Sequence, residues 1–512
     1  MNMNYKFCIM AAGKGTRNKT IKGIHKALLP IENKTVISQI IDGLPIDVEI
    51  VIAVGFKSEQ IKTYLSLVHS DRKIIYVDIE NYDGEGSGPG LSLLLCEEYL
   101  QCPFIFTSVD TLVEENYGLN DIKNNWIGYS QIKRSDSSSY CLVEGEKILE
   151  KFYFGNGDKA FIGMAGIFDY SNFWEGLKNK SLIKNEYQVL NGFDKLDKIE
   201  LKYFNWYDTG NEHSYEKTRN RYCNEIVALK NDEALFIESD YVIKYFYDPK
   251  RVTDRIKRLE YLNGTSPTVY KLNDNMYYYK YLPGKTLSSV YDLSILKDVL
   301  TFWYDKIGSF RFEKTEDFLK DCKHMYHDKT VSRCEYFDNK EIDKIGYVNG
   351  VKVGRILDML NQVDWNSIYE NSIPSKFHGD FQPENIIYNK DFTLIDWRQS
   401  FGENIEVGDF YYDLGKMYHA LLINGKDVNN KMYHYNISDN NAYLYYHSRS
   451  NLMDLFYELK KFVETNDYSW KNVELLGTLQ YLGISSLYQD FHDGEYGKFL
   501  FLYGKYLLSK FI

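Results

Sequence analysis

The chain has 512 residues, of which 44% are hydrophobic and 26% charged, and its formal net charge is −11. One hydrophobic core rarely serves so long a chain, so we expect at least two domains. The negative charge repels phosphate backbones and anionic lipids, which argues against nucleic-acid and membrane-surface partners.

Export and membrane insertion are not expected. No apolar run approaches the roughly 20 residues that span a bilayer, and the N-terminal residues lack a signal-peptide pattern. The seven cysteines are scattered without a C-x-x-C pair, so neither a disulfide framework nor a zinc site is expected. We expect a cytoplasmic protein.

The first part of the chain alternates strand-like and helical patterns. Strands are predicted at Tyr5–Ala12, Val48–Val54, Ile74–Val77, Phe104–Thr107, Ala160–Phe168 and Ile199–Trp206. Helices are predicted at Val36–Leu44, Ser58–Leu67 and Leu91–Leu100. This alternation is typical of an α/β fold with a mainly parallel sheet and helices on both faces.

A charged helical stretch around 211–232 precedes a second set of elements. Strands are predicted at Ala234–Glu238, Tyr241–Tyr247 and Tyr277–Leu282. Helical periodicity dominates after Leu293, except in a loop-and-strand block at 377–397. A small β-rich lobe followed by a large helical lobe is the order of a kinase-like fold. We therefore expect one domain at residues 1–225 and a kinase-like domain at 226–512.

The block contains side chains suited to phosphoryl transfer. That reaction needs a carboxylate that orients the acceptor hydroxyl, Mg²⁺ ligands and a cation on the nucleotide phosphates. Asp380 lies on a loop, and Asn385 follows five positions later. Ile386–Tyr388 and Thr393–Ile395 predict a hairpin. Its return places Asp396 beside Asn385, where one ion could meet both oxygen ligands.

The stretch from His378-Gly379-Asp380 to Asn385, followed by Ile395-Asp396-Trp397, resembles the catalytic loop of the aminoglycoside phosphotransferase and choline kinase family. The resemblance implies a protein-kinase-like, two-lobed fold with ATP as the donor. It implies Asp380 as the catalytic base and His378 as a support of the loop. Asn385 and Asp396 are implied as Mg²⁺ ligands.

Looser parts of this resemblance lie on both sides of the loop. Asp409 and Asp413 match a G-D-x-x-x-D-L element whose aspartates mostly brace the loop in the family. Lys244 lies where the family's nucleotide-phosphate lysine falls, and Glu260 is its expected helix partner. No G-x-G-x-x-G loop precedes Lys244, so Lys230–Glu233 would have to cover the phosphates.

A second set of motifs lies in the first 210 residues. A glycine turn, AAGKGTR at 11–17, follows a strand, and its backbone N–H groups can wrap phosphates. Lys26 comes shortly after it. Asp110 ends the buried strand FIFTSVD, which is the usual place for a ligand in an open α/β sheet. Asp208 supplies a second carboxylate in a turn.

This set resembles the nucleotidyltransferases that activate sugar phosphates and phosphocholine, over about residues 5–215, with G-x-G-T-R, P-K, strand-end Asp and W-x-D-x-G motifs. The resemblance implies a Rossmann-like domain. It implies nucleotide-binding residues Ala11, Ala12, Gly13, Gly15, Thr16, Gly86 and Ser87. Arg17 and Lys26 are implied as catalytic cations on the phosphates, and Asp110 and Asp208 as Mg²⁺ ligands.

The N-terminal motifs depart from the family's pattern at two positions. His25 stands in place of the proline before Lys26, and Asp110 has no second acid beside it. The proposed chemistry needs no general base, because the acceptor is already a phosphate anion. Attack on the α-phosphorus needs charge neutralisation and alignment.

Together the two sites indicate consecutive reactions in one bifunctional enzyme. The C-terminal domain would phosphorylate a small alcohol, of the choline or ethanolamine kind, with ATP. The N-terminal domain would then transfer a nucleotidyl group to the product, with CTP favoured, giving a precursor for decoration of surface polysaccharides. Mg²⁺ is expected at both sites.

Two alternatives remain open. A sugar kinase could be coupled to a sugar-1-phosphate nucleotidyltransferase, or one domain could be a non-catalytic regulatory module. Trp397, Tyr411 and Tyr412 could cage a quaternary ammonium by cation–π attraction, but in so tyrosine-rich a chain they are more often core or rim.

Overall fold

The computed structural model describes residues 5–115, 117, 122–179, 182–183, 185–222, 230–337, 339–489 and 491–512. Two compact units are present in that part of the chain. The first contains the described residues up to 222 together with 230–247 and 275–277, and the second contains those of 248–274 and 278–512. The expected domain boundary at residue 225 lies outside the described residues and stays a prediction.

The strands up to residue 247 are β1 (Lys6–Ala11), β2 (Pro30–Ile31), β3 (Lys34–Thr35), β4 (Ile50–Val54), β5 (Ile74–Asp78), β6 (Phe104–Ser108), β7 (Thr111–Val113), β8 (Asn125–Gln131), β9 (Leu142–Glu144), β10 (Lys151–Tyr153), β11 (Lys159–Ile167), β12 (Leu182–Ile183), β13 (Glu186–Tyr187), β14 (Ile199–Tyr203), β15 (Trp206–Asp208), β16 (Glu233–Ile237) and β17 (Tyr241–Phe246). The α-helices are α1 (Val36–Asp42), α2 (Ser58–Val68), α3 (Pro89–Leu94), α4 (Tyr170–Leu177) and α5 (Glu212–Tyr222).

A nine-stranded sheet lies at the centre of the described part of the first unit. Its middle is parallel, because β1 pairs with β4 and β6, and β4 pairs with β5. β4 reads IVIAV and is buried at every position, as a strand covered on both faces requires. β11 joins β6 antiparallel, and β8, β9, β10 and β14 complete the sheet. The α/β class and the parallel centre are confirmed, whereas the antiparallel extension was not predicted.

Aromatic packing closes one face of this sheet. The ring of Phe104 on β6 stacks on Trp174 of α4 with centroids 5.1 Å apart, and Phe173 packs edge-on against it at 5.8 Å. These rings belong to one buried cluster with residues of β1, β4 and β11. Since β6 ends just before Asp110, the packing fixes the strand that carries this carboxylate.

From residue 249 onward the strands are β18 (Tyr270–Asn273), β19 (Met276–Lys280), β20 (Lys285–Thr286), β21 (Tyr347–Val348), β22 (Val351–Lys352), β23 (Pro374–Ser375), β24 (Ile386–Tyr388), β25 (Phe392–Leu394), β26 (Gly408–Asp409), β27 (Tyr433–Ser438) and β28 (Asn441–Tyr446). The α-helices are α6 (Pro249–Lys257), α7 (Leu293–Trp303), α8 (Glu316–Lys323), α9 (Lys329–Tyr336), α10 (Lys340–Asp343), α11 (Ile356–Leu360), α12 (Trp365–Asn371), α13 (Phe410–Leu422), α14 (Gly425–Asn429), α15 (Ser450–Thr465), α16 (Trp470–Ser485) and α17 (Glu495–Leu508).

Helix α16 is the centre of the second unit. It packs against α9, α13 and α17 and is apolar on most of its circumference, as a helix surrounded by others must be. The dominance of helices after Leu293 is confirmed. The kinase-like, two-lobed fold stays a prediction.

Among the described residues, no helix combines the length and apolar character that crossing a membrane requires.

A hairpin within the helical region was not predicted. β27 and β28 pair antiparallel, and β21 joins β28 in parallel. The turn residues Asp439 and Asn440 have φ of +49° and +64°. Two consecutive residues with positive φ are typical of a type I′ hairpin turn, for which Asp and Asn are favoured.

Candidate active sites

The glycine loop and Asp110 lie at the same edge of the first unit's sheet. β1 and β6 are parallel neighbours, with Met10 opposite Ser108, so the segments that follow them emerge side by side. The N–H of Val109 donates to the carbonyl of Met10 at 3.2 Å. Ligands in open α/β sheets bind at such carboxyl ends.

Lys26 and Asp110 form an ion pair at this edge. Nζ of Lys26 lies 2.9 Å from Oδ2 of Asp110, and each side chain is 17% exposed. Burial would raise the pKa of Asp110, but Lys26 and then Arg17 lower it, and the pKa is below its usual value. Asp110 is therefore ionised at neutral pH.

Asp208 lies close to Asp110. The N–H of Thr209 donates to the carbonyl of Asp110 at 3.0 Å, and the Tyr140 hydroxyl donates to Oδ2 of Asp208 at 3.0 Å. A Cβ added to Gly210 would lie 3.0 Å from Oδ1 of Asp208 and 3.2 Å from Oδ2 of Asp110. Burial, and then the charge of Asp110, raise the pKa of Asp208. Two carboxylates that repel each other in this way suit a divalent cation.

His25 joins the glycine loop to the turn that carries Lys26. The N–H of Ala27 donates to Nδ1 of His25 at 3.1 Å, so Nε2 carries the proton and donates to the carbonyl of Gly13 at 3.2 Å. Burial lowers the pKa of His25 to about 3, which keeps the ring neutral. A proline could make neither side-chain bond.

Gly15 allows Lys26 to lie against the loop. Its φ is +62°, and an added Cβ would lie 3.0 Å from Cδ of Lys26. Asn18, which the sequence did not single out, donates to the carbonyl of Thr209 at 3.2 Å. It thereby ties the end of the loop to the turn after Asp208.

The other residues expected to bind the nucleotide lie in two segments, one at the end of β1 and the other before α3. Ala11 and Ala12 are buried at the end of β1, Gly13 is half-buried, and Thr16 and Arg17 are exposed. Gly86 and Ser87 lie before α3, where the N–H of Gly86 donates to Asn185 and the carbonyl of Ser87 accepts from Tyr187. The structure thus brings together the loop, Lys26, Asp110 and Asp208 at the sheet edge.

In the second unit, Asp413 on α13 holds the loop of the candidate kinase site. Its Oδ2 accepts the N–H of His378 at 2.7 Å and its Oδ1 accepts the N–H of Gly379 at 2.7 Å. The indole N–H of Trp303 donates to Oδ2 at 3.0 Å. Burial raises the pKa of Asp413 to about 6, so three donors stabilise a carboxylate that burial disfavours.

Asp380 projects from this loop between an amide and a lysine. Nδ2 of Asn385 donates to Oδ2 of Asp380 at 3.0 Å, and Nζ of Lys416 lies 3.1 Å from Oδ1. Burial would raise the pKa of Asp380, but Lys416 outweighs it and the pKa is lowered. The carboxylate is therefore ionised and oriented.

The predicted hairpin after Asn385 is present. β24 pairs with β25, and the N–H of Ile395 donates to the carbonyl of Asn385 at 2.8 Å. Asp396 follows with φ of +58°, and Nη1 of Arg255 lies 2.7 Å from its Oδ1. The hairpin thus brings the backbone next to Asp396 against Asn385, and a metal ion shared by the two side chains stays a prediction.

His378 and Gly379 shape the loop. The N–H of Asp380 donates to Nδ1 of His378 at 3.3 Å, and burial lowers the pKa of His378 to about 4. Gly379 has φ of +87°, and an added Cβ would lie 2.5 Å from Cβ of Arg398. Only glycine fits there.

Lys244 and Glu260 fall in different compact units, Lys244 half-buried on β17 and Glu260 exposed after α6. Their pairing stays a prediction. Lys230 forms an ion pair with Glu233.

The aromatic residues near the loop belong to the core. The indole N–H of Trp397 donates to the carbonyl of Arg255 at 2.9 Å, and the Tyr411 hydroxyl accepts from the N–H of Ser469 at 3.0 Å. Trp397, Tyr411 and Tyr412 are all buried, which favours a place in the hydrophobic core over a cage around a quaternary ammonium.

Both sites fit Mg²⁺ by their donors. Asp110 with Asp208, and Asn385 with Asp396, supply oxygens of the kind this ion prefers. In the described part of the chain, no group of three or more His, Cys, Asp or Glu side chains could hold a metal. Substrate phosphates commonly complete the coordination at such sites.

No protein-family model and no curated protein matches the sequence. Solved structures resemble its N-terminal part. A UDP-glucose pyrophosphorylase complexed with UDP-glucose is 19% identical, with a TM-score of 0.36 over 43% of this chain and 98% of its own. A CTP:phosphocholine cytidylyltransferase from Streptococcus pneumoniae is 17% identical, with a TM-score of 0.36 over 43% and 99%. An inositol-1-phosphate CTP transferase from T. maritima is 14% identical, with a TM-score of 0.34 over 44% and 99%.

We expect Gly15→Ala to weaken nucleoside triphosphate binding, because the methyl group displaces Lys26 from the loop. The left-handed φ adds a stability cost of about 1–2 kcal/mol. Gly84→Ala is the matched control, since Gly84 has φ of +92° but no atom within 4 Å of an added Cβ. Titration calorimetry and thermal melting of both variants separate the two effects. Equal loss of binding in the two variants would contradict the placement of Lys26.

We expect Asp413→Asn to destabilise the second unit by about 3 kcal/mol, because an amide nitrogen would face buried N–H donors. Trp303→Phe removes only one of the three donors to Asp413 and should cost less hydrogen-bond energy. Urea unfolding of the full chain measures both. Unchanged unfolding of Asp413→Asn would show that Asp413 does not brace the loop.

Proposed function

We propose that the chain is a bifunctional transferase in which a kinase site phosphorylates a small alcohol and a nucleotidyltransferase site activates the product. One observation carries the proposal. Each unit holds an ionised, largely buried carboxylate beside a lysine, with Asp208 near Asp110 and Asn385 near Asp380. Such a constellation is suited to chemistry on phosphates.

The first site supports nucleotidyl transfer. The N–H groups of the 11–17 loop and the cations Lys26 and Arg17 would bind the triphosphate. An oxygen of the acceptor phosphate would form a bond to the α-phosphorus, and the bond to the β-phosphate oxygen would break, releasing pyrophosphate. Mg²⁺ on Asp110 and Asp208 would supply charge neutralisation when bound.

The second site supports phosphoryl transfer from ATP. The acceptor oxygen would form a bond to the γ-phosphorus, and the bond to the β-phosphate oxygen would break, releasing ADP. Asp380 would orient the acceptor hydroxyl and accept its proton. Lys416 and Asn385 keep the carboxylate ionised and aimed. Mg²⁺ on Asn385 and Asp396 would neutralise phosphate charge when bound.

The two reactions would follow each other, because the product of the kinase is a phosphate of the kind that the nucleotidyltransferase consumes. We propose CTP as the nucleotide and a precursor for surface polysaccharide as the product, with Mg²⁺ at both sites. The proposal of CTP rests on the sequence resemblance to phosphocholine-activating enzymes. A sugar phosphate with another nucleotide is the alternative that the W-x-D-x-G motif supports.

We expect Asp380→Asn to lower ATP-dependent phosphorylation of the acceptor by about 10²–10⁴-fold, because the hydroxyl loses its base. Nucleotidyl transfer to a supplied phosphorylated acceptor should be unchanged. The exposed Asp317→Asn is the control for the charge change. Mass spectrometry of products from full-length protein measures both steps. Loss of both activities in the folded variant would contradict two separate sites.

We expect Asp110→Asn to do the reverse, lowering nucleotidyl transfer by about 100-fold or more while sparing phosphorylation. The substitution removes the partner of Lys26 and one candidate ligand. Asp71→Asn, at an exposed position of the same unit, is the control. If Asp110→Asn leaves nucleotidyl transfer intact, the first unit does not use this carboxylate.

A further inference from the structure

Four basic side chains lie near the Asp380 loop. Lys329 and Arg333 lie one turn apart on α9, Arg398 follows Trp397, and Lys416 lies on α13. We call these four residues the cation cluster. They come from three separate parts of the chain, so no local sequence pattern indicates that they lie near one another.

Contacts place Lys416 and Arg398 at the loop, and Lys329 and Arg333 lie close enough to interact electrostatically with Arg398. Lys416 bonds Asp380, as described above. The backbone N–H of Arg398 donates to the carbonyl of His378 at 3.0 Å, and its Nη1 donates to the Tyr412 hydroxyl at 3.3 Å. Nη1 of Arg333 donates to the carbonyl of Gly483 on α16 at 2.8 Å. Helix α13, which carries Lys416, packs against the same helix.

The cluster is not balanced by carboxylates of the described residues. Lys329, Arg333 and Arg398 form no ion pair there, and Asp380 is shared between Lys416 and Asn385. The two other acids of the site have their own cations nearby, because Asp396 pairs with Arg255 and Asp413 lies near Arg258.

Burial disfavours positive charge on these side chains in the free protein. Burial, followed by the charges of Arg398, Arg333 and Lys416, lowers the pKa of Lys329 to about 5. Nε of Arg398 is buried without a hydrogen-bond partner. A buried cation without a partner destabilises the folded protein. Such cations are therefore uncommon in purely structural roles and common where a charged ligand binds.

A choline-like acceptor does not suit these surroundings. The cluster would repel a quaternary ammonium, and the aromatic residues that could cage one are part of the core. An anionic group would instead find two guanidinium groups that can bind a carboxylate or phosphate through paired hydrogen bonds. Its charge would also favour the protonated form of Lys329.

We propose that the acceptor of the kinase site is an alcohol that carries an oxyanion, either a carboxylate or a phosphate. The inference rests on the proposed kinase function and names its substrate class. Lys329, Arg333 and Arg398 bind the oxyanion, while the hydroxyl lies at Asp380. The hydroxyl oxygen takes the γ-phosphoryl group, its proton passes to Asp380, and ADP leaves.

The first test compares three-carbon and two-carbon alcohols of different charge with the full-length protein and ATP. Glycerate and glycerol phosphate should exceed glycerol in kcat/KM by about 100-fold, and choline and ethanolamine should fall below glycerol. The two anionic alcohols distinguish carboxylate from phosphate. A preference for choline or ethanolamine over both anionic alcohols would overturn the inference.

The second test uses Lys329→Gln and Arg398→Gln, with the exposed Lys320→Gln as the control. Each cluster variant should raise KM for the anionic acceptor by about 10- to 100-fold and leave KM for ATP within about twofold. Lys320→Gln should match the unmodified protein. If KM for ATP rises and that for the acceptor does not, the cluster binds the nucleotide and the inference is wrong.

A binding measurement separates this inference from the proposed function. If no alcohol of any charge is phosphorylated above the level of Asp380→Asn, the kinase function fails. Calorimetry with glycerate and glycerol phosphate in the presence of ADP then decides the inference. Binding that weakens at least about tenfold in both cluster variants supports it, and equal binding by variants and unmodified protein overturns it.

Thermal stability gives a readout independent of turnover. Lys329→Met replaces a buried amine with an apolar, unbranched side chain, so the melting temperature should rise while glycerate and glycerol phosphate binding falls. A lower melting temperature with unchanged binding would show that Lys329 has a structural role and would overturn the inference.

Discussion

A carboxylate paired with a lysine, largely out of water, is the interaction on which each candidate site depends. Burial alone raises the pKa of such an acid and favours its neutral form, which could neither hold a divalent cation nor accept a proton. Lys26 keeps Asp110 ionised, and Lys416 does the same for Asp380. The remaining contacts of each site position this pair, through His25 in one unit and Asp413 in the other.

Much of this arrangement could be predicted from sequence because it follows local rules. Parallel strands deliver the residues after them to one edge, so the glycine loop and Asp110 could be expected at the same edge of the sheet. The hairpin of β24 and β25 follows from two short apolar runs joined by a turn, and it returns the chain to Asn385. The β27–β28 hairpin was missed although Asp439-Asn440 between tyrosine-rich, strand-like segments carried a usable signal.

The remaining parts of the sites could not be predicted because they arise from helix packing. Lys416 and Arg255 lie on helices where, in sequence, they are indistinguishable from solvent-facing cations. Only the packing of α13 and α6 turns them toward Asp380 and Asp396. The same holds for Lys329 on α9. The antiparallel extension of the first sheet likewise depends on pairing between distant strands, which no local pattern specifies.

The bonds of His25 also bear on motion. Since one ring nitrogen holds the glycine loop and the other holds the turn of Lys26, the two segments are fastened to a single rigid imidazole. Any displacement of the glycine loop would therefore carry the turn of Lys26 with it, as long as both hydrogen bonds of His25 persist. The loop and the lysine would move as one unit and keep their relative positions.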